Sequence, residues 1–210
     1  MTVALAGLVV ADPPEAWTAA GFAVDADGTC RVGTVAVRLV GRERGTGVVG
    51  WALSGVDDGL REVDGIPTTV AAAAPEEPGE HPNGVTLLDH VVLLSPDLAR
   101  TITALAAVGL EPRRERDGSL GGAPMRQVFY RLGEVILEVV GAPDVANEGP
   151  SSLWGLTHVV ADVDAAAAAL GEAGGHPKDA VQPGRRITTL RHRDLGMSVR
   201  TALITPHVRR

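Results

Sequence analysis

A strand, a helix-starting signal and a terminating glycine recur in that order four times along the 210-residue chain. Each stretch combines a continuous apolar run with the N-cap and glycine signals that bound a helix. The expected N-caps are Asp12, Ser95 and Asp162, and the second helix is expected at residues 57–64. The predicted strands that precede the four helices are residues 3–10, 48–56, 86–94 and 156–161. The recurrence indicates internal duplication of one small module.

A gapless sequence match supports the duplication. Residues 31–41 and 131–141 are identical at five of eleven positions, at an offset of 100 residues. Both segments are rich in Val and Gly and are predicted to be strands. We therefore expect them to occupy equivalent places in two modules.

The second half of the chain predicts one helix and three further strands in each module. The expected strands are 110–116, 125–132, 135–140, 178–181, 186–193 and 197–204, with turn signals between them. The two N-terminal copies are shorter. Residues 71–84 contain three Pro and two Gly, so they are the predicted linker between an N-terminal half (1–70) and a C-terminal half (85–210).

Composition and charge limit the classes of binding partner and the cellular location that we expect. The formal net charge of −7 argues against a nucleic-acid partner, because phosphate binding needs a basic surface. The apolar run near the start stops at Asp12, which is too short for a membrane span of about 20 residues. Cys30 is the single cysteine, so no internal disulfide forms, and we expect a cytoplasmic protein.

Three short motifs carry a resemblance to a known superfamily. They are Leu88-Asp-His-Val-Val92, Leu137-Glu-Val-Val-Gly141 and Leu156-Thr-His-Val-Val160. In this order the motifs resemble the vicinal oxygen chelate superfamily, which includes glyoxalase I, bleomycin and fosfomycin resistance proteins and extradiol dioxygenases. The resemblance is strongest over residues 85–206. It implies an α+β fold in which repeated βαβββ units form open curved sheets around a cavity, with a degenerate N-terminal pair of units.

The resemblance also implies a ligand set for a divalent metal ion such as Zn, Ni, Mn or Fe. Its members would be His90, Glu138 and His158, with Glu138 or a metal-bound hydroxide as the candidate catalytic base. Two imidazoles and one carboxylate leave open positions for water or substrate, and a metal would neutralise a Glu placed among apolar residues. The fourth position falls near Thr201, where the strand contains no carboxylate. This absence argues against dioxygenase and fosfomycin-resistance activities and weakens a strict glyoxalase I assignment.

Structural explanations remain open for each candidate. Glu138 can instead form an ion pair with an arginine, for which Arg126, Arg131 and Arg200 are the candidates. The substrate-binding candidates are Tyr130, Trp154 and Arg186, which can equally be core filler or, for Arg186, part of a solvated turn. The positions that match the ligand set in the N-terminal half are Gly7, Arg38 and Leu53, so that half is expected to be structural or to shape the cavity.

Three functions remain. The first is a glyoxalase-like metal-dependent lyase, isomerase or epimerase that acts on a small molecule with adjacent oxygens. The second is a metal-free small-molecule or antibiotic binding protein of the bleomycin-resistance type, for which the acidic net charge suits a cationic ligand. The third is an interaction protein with a vestigial cavity. The sequence leaves open whether the protein is a monomer or a homodimer.

Overall fold

The computed structural model describes residues 2–72 and 77–207. Its strands form one open, curved, mixed sheet of 14 strands that carries three α-helices. The elements of the first half are β1 Ala4–Val10, α1 Pro14–Ala19, β2 Thr29–Val32, β3 Val35–Leu39, β4 Val48–Ser54, β5 Glu62–Val63 and β6 Ile66–Val70. Those of the second half are β7 Val85–Leu94, α2 Leu98–Ala107, β8 Arg114–Leu120, β9 Ala123–Leu132, β10 Val135–Gly141, β11 Ser152–Val160, α3 Val163–Ala169, β12 Lys178–Asp179, β13 Arg186–Thr189 and β14 Arg200–Ile204.

One pairing scheme repeats four times in the sheet. The first strand of each stretch pairs in parallel with the last one, as β1 with β3, β4 with β6, β7 with β10 and β11 with β14. The first strands then pair antiparallel in two couples, β1 with β4 and β7 with β11. A single register pair, Leu153 with Val48, connects the two couples. The expected α+β fold with open curved sheets is thus confirmed.

The strand register places the 31–41 and 131–141 segments in equivalent positions. Ala36 pairs with Gly7 in the first module, and Ile136 pairs with His90 in the third. Gly7 therefore lies where His90 lies, and by the same register Arg38 corresponds to Glu138. The division into residues 1–70, 71–84 and 85–210 stays a prediction, and residues 73–76 of the linker and 208–210 at the end lie outside the described residues.

The helix expected at residues 57–64 was a wrong prediction. Asp57 accepts a hydrogen bond from the backbone N–H of Gly59 at 2.8 Å, which closes a turn, and the chain then enters β5. Asp and Gly are poor helix formers and favour such turns. Asp64 has a positive φ of 50°, which also excludes a continuing helix.

The helix starts were predicted with mixed success. Asp162 caps α3 as expected and accepts hydrogen bonds from two backbone N–H groups. Asp97 rather than Ser95 caps α2. Pro13 occupies the cap position of α1, where no side chain caps the helix. The carboxylate of Asp12 instead accepts hydrogen bonds from Trp17 Nε1 at 3.2 Å and from the backbone N–H of Ser198 at 2.7 Å.

The core is mainly aliphatic, as the composition indicates, with a few large aromatic side chains at its centre. Cys30 is fully buried, and burial raises the pKa of its thiol to about 12.

Strands β13 and β14 are shorter than expected because the chain turns between them, where the N–H of Asp194 donates to the carbonyl of Arg191 at 2.9 Å. None of the described helices has the length and apolar character needed to cross a membrane.

Candidate functional site

A cavity of about 760 Å³ lies against the sheet of the C-terminal half. His90 of β7, Ile136 and Glu138 of β10 and Phe129 of β9 line one side of it. The other side is formed by the last module, and its lining residues include Ile187, Thr189 and Ile204. The cavity therefore lies where the resemblance predicted it, between two paired modules.

His90 and Glu138 face each other in this cavity. They lie on the adjacent parallel strands β7 and β10. His90 pairs with Ile136, and Glu138 lies two residues further along β10, so both side chains are on the same face of the sheet. His90 Nε2 is 4.0 Å from Glu138 Oε2, and the two side chains are 14% and 16% exposed. An imidazole and a carboxyl group at this distance can exchange protons with one bound molecule.

A buried ion pair lies behind His90. Asp89 Oδ2 accepts a hydrogen bond from His90 Nδ1 at 2.8 Å, and Asp89 Oδ1 accepts one from Arg185 at 2.5 Å. The Arg185 side chain is 1% exposed. Burial alone would raise the pKa of Asp89, but the hydrogen bonds from His90 and Arg185 outweigh burial and lower it to about 2. The ionised carboxylate keeps the proton of a neutral imidazole on Nδ1 and leaves Nε2 free to accept one from the cavity.

Glu138 is held by an amide rather than by an arginine. Gln127 donates from its side-chain nitrogen to Glu138 Oε1, and its side-chain oxygen accepts a hydrogen bond from Arg116 Nε at 2.8 Å. The three arginines expected as partners of Glu138 have other contacts. Arg126 pairs with Asp117, Arg131 donates to the carbonyl of Glu134, and Arg200 lies over the ring of Trp154.

The structure does not bring His158 to the other two predicted ligands. Thr157 pairs with His90, whereas His158 pairs with Leu88, so Asp89 is an extra residue in β7 at this point. His158 is fully buried in the core, with its ring centroid 5.0 Å from that of Phe22. Neither ring nitrogen has a hydrogen-bond partner among the described residues. Burial lowers the pKa of His158 to about 3.

The donor set does not fit the expected metal centre. No group of three or more His, Cys, Asp and Glu side chains in residues 2–72 and 77–207 is arranged to hold a metal ion. His90 and Glu138 supply two donors, while zinc sites in proteins use three or four protein ligands. The fourth expected position contributes nothing, because the Thr201 hydroxyl is buried and donates to the carbonyl of Val199.

Of the three substrate-binding candidates, one lines the cavity. Tyr130 is among the lining residues, and burial raises the pKa of its phenol to about 12. Trp154 is 45% exposed and Arg186 pairs with Asp164, so neither reaches the cavity. Sequence reasoning missed Asp89 and Gln127. Asp89 stands in the quoted Leu88–Val92 motif, but strand alternation assigned it to the opposite face from His90.

A second cavity of about 920 Å³ lies in the N-terminal half. Gly7 and Arg38, which correspond to His90 and Glu138, are among its lining residues. The described residues of its lining include the carboxylate of Glu77 but no histidine. Among the described residues, this larger cavity therefore has no counterpart of the His90–Glu138 pair.

Comparison with known proteins supports the fold. The sequence matches no protein-family model and has no significant match among curated proteins. A mutant of 4-hydroxymandelate synthase from Streptomyces coelicolor is similar over all of this chain and 93% of its own, with 18% identity and a TM-score of 0.62. A xylose isomerase-like TIM barrel/4-hydroxyphenylpyruvate dioxygenase fusion protein matches over 99% of this chain and 49% of its own, with 12% identity and a TM-score of 0.63. Methylmalonyl-CoA epimerase from Mycobacterium tuberculosis matches over 60% of this chain and 91% of its own, with 19% identity and a TM-score of 0.45. The two similarities that extend over the whole chain confirm the fold that the resemblance implied.

Proposed function

We propose that the C-terminal cavity binds a small organic molecule and that His90 and Glu138 shift a proton between neighbouring atoms of it, as an isomerase does. The observation that carries this proposal is the 4.0 Å separation of His90 Nε2 and Glu138 Oε2 at one side of a cavity of about 760 Å³. Groups this close together contact the same face of a bound molecule. His90 Nε2 therefore removes a proton from carbon, and the protonated carboxyl group of Glu138 delivers one to the neighbouring atom on that face. The proton held by His90 then exchanges with solvent or passes to Glu138, which restores both groups.

The surrounding residues support this assignment of roles. Asp89 holds the Nδ1 proton of His90, so Nε2 is the nitrogen that accepts a proton from the ligand. Gln127 fixes one oxygen of Glu138 and leaves the other facing His90. Proton transfer by such positioned groups contributes about 10²- to 10⁴-fold to a rate. No step is assigned to a metal ion, because two converging donors do not form the expected centre.

The proposal is tested by solvent deuterium exchange. Small 2-hydroxy aldehydes, 2-hydroxy ketones and 2-oxo acids are incubated with the protein in D₂O, with and without EDTA, and carbon-bound protons are followed by NMR. We expect enzyme-dependent exchange next to the carbonyl group, and His90→Asn or Glu138→Gln to slow it by about 100-fold or more. His176→Asn is the matched control, since His176 is exposed and outside the cavity.

Three results contradict the proposal. They are exchange that survives both cavity substitutions, exchange that EDTA abolishes, and binding of these molecules without any exchange. The last result favours the binding-protein function that the sequence also allows.

A further inference from the structure

The lining of the C-terminal cavity carries an excess of positive charge, whereas the chain as a whole carries a net negative charge. The chain has 19 Lys and Arg against 26 Asp and Glu. The cavity lining contains five of these cations, namely Arg113, Arg114, Arg116, Arg131 and Lys178, against two carboxylates, Glu138 and Asp179. The cationic ligand suggested by the net charge thus does not match the local charge of the cavity.

The reversal arises from the alternation of strand faces in β8 and β9. Arg114 pairs with Phe129 and Arg116 with Gln127, and all four line the cavity. The alternate residues of β8, Glu115 and Asp117, have the opposite sign and pair with Arg126 of β9 away from the cavity lining. Residues of opposite charge are thus sorted to the two faces of the same pair of strands.

The cavity arginines keep donors available. In the described part of the chain, no carboxylate lies within ion-pair distance of any of the five cations. Arg116 directs two of its five N–H groups at the oxygen of Gln127. Arg114 is held over the Phe129 ring, with its guanidinium carbon 5.6 Å from the ring centroid. These positively charged groups at a cavity wall therefore have no anionic partner among the described residues.

We infer that the ligand of this cavity is an organic acid whose ionised carboxylate or phosphate group binds Arg114 and Arg116. This inference rests on the proposed function for the identity of the reacting end. Arg114, Phe129 and Glu138 follow one another across three neighbouring strands, so the backbones of Arg114 and Glu138 are about 10 Å apart. A ligand that spans them places its acid group at the arginines, its apolar body on Phe129 and Ile136, and its reacting carbon at His90 and Glu138.

Binding of a matched pair of probes tests this inference. The probes are 3-phenylpropionate and its neutral amide, with phenyl phosphate as a third arm, and binding to the full chain is measured by calorimetry at two salt concentrations. We expect both anions to bind at least about tenfold more tightly than the amide, and higher salt to weaken only the anions. The tighter anion identifies the preferred acid group.

Variants assign the effect to the cavity face. We expect Arg114→Gln and Arg116→Gln each to weaken binding of the anions by about tenfold, since each loses a charged hydrogen-bond donor. Arg126→Gln is the matched control on the outer face of β9, and we expect it to leave binding unchanged. The comparison of anion and amide needs no variant, so it holds even if a substitution impairs folding.

Three results would overturn the inference, namely equal binding of the amide and the anions, an equal loss in Arg126→Gln, and proton exchange that is confined to neutral substrates. Failure of this inference can be distinguished from failure of the proposed function by measuring anion binding in the His90 and Glu138 variants. His90→Asn and Glu138→Gln remove proton exchange but keep both arginines, so anion binding persists in them if this inference holds. Exchange that is confined to neutral substrates would sink the inference and leave the proposed function standing.

Discussion

At the scale of single residues, the behaviour of the candidate site depends on Asp89. Its carboxylate is the shared acceptor of His90 and of the buried Arg185. Removing one partner of a buried ion pair costs more than the pair contributes, because the remaining charge stays buried without compensation. Asp89 therefore links the orientation of the His90 imidazole to the stability of the cavity wall.

We expect Asp89→Asn to lower the free energy of unfolding at pH 7 by about 3–5 kcal/mol, because Arg185 then lacks its anionic partner. The folded-state pKa of Asp89 is about 2, below the ordinary value of 3.8. Its contribution is therefore fully present above pH 3.8 and is lost as the pH falls towards 2. Urea unfolding from pH 7 down to pH 2 measures the difference between the two proteins, which should shrink over that window.

Two further variants sharpen this test. Arg185→Met in the Asp89→Asn background should recover part of the lost stability, since it removes the unpaired charge. Asp117→Asn is the control, because Asp117 is exposed, and its effect should stay within about 0.5 kcal/mol. A difference that grows between pH 4 and pH 2 would contradict this account of Asp89.

At the scale of strands and helices, the order of elements could be predicted better than their register. Apolar runs and glycines predicted the strand–helix alternation in three of the four stretches, and the 100-residue match correctly predicted the equivalence of β3 and β10. The extra residue at Asp89 could not be predicted, because a bulge leaves no signature in an apolar strand pattern. One added residue reverses the faces that follow it, so the repeated His-Val-Val motif places His90 at the cavity and His158 in the core.

His158 lowers the stability of the folded protein, because its two ring nitrogens are buried in the core without hydrogen-bond partners among the described residues. We expect His158→Leu to raise the free energy of unfolding at pH 7 by about 1–3 kcal/mol, because it removes two buried polar atoms that lack partners. The folded-state pKa of His158 is about 3, below the ordinary 6.5, so the native protein loses stability as the pH falls from 6.5 towards 3. Unfolding measured across that range should show a weaker pH dependence in the variant.

The same substitution tests the ligand role that the motif suggested. Proton exchange in the C-terminal cavity should be unaffected in His158→Leu, with His176→Asn again as the surface control. A variant that is less stable than the native protein at pH 7, or that loses exchange, would show that the imidazole makes a contact that the core position does not provide.

At the scale of the whole molecule, two buried carboxylates connect the halves of the chain. Asp12 binds Ser198 near the start of β14. Asp64 accepts hydrogen bonds from Arg100 at 2.6 Å and from Ser151 at 2.6 Å, and also from Thr101. Since β4 and β11 share a single register pair, these polar contacts add to the core packing at a junction with little strand pairing.

We expect Asp64→Asn to lower the free energy of unfolding by about 1.5–3 kcal/mol, the value of a hydrogen-bonded charge. Asn tolerates the positive φ of this position, so the effect reports on the lost charge and not on backbone strain. Thermal and urea unfolding measure it, with Asp58→Asn as the control, because Asp58 is exposed in the same connection. Equal effects of the two substitutions would show that the Asp64 contacts do not secure the junction.

The extra residue at Asp89 also affects how many of the four modules can place an acid–base pair in a cavity. His158 is turned into the core, and Gly7 and Arg38 occupy the matching places of the first module, so among the described residues the His–Glu pair is held by the third module. The last module contributes cavity-lining residues instead. The proposed function therefore predicts a stoichiometry of one reacting molecule for each chain, however many times the unit recurs.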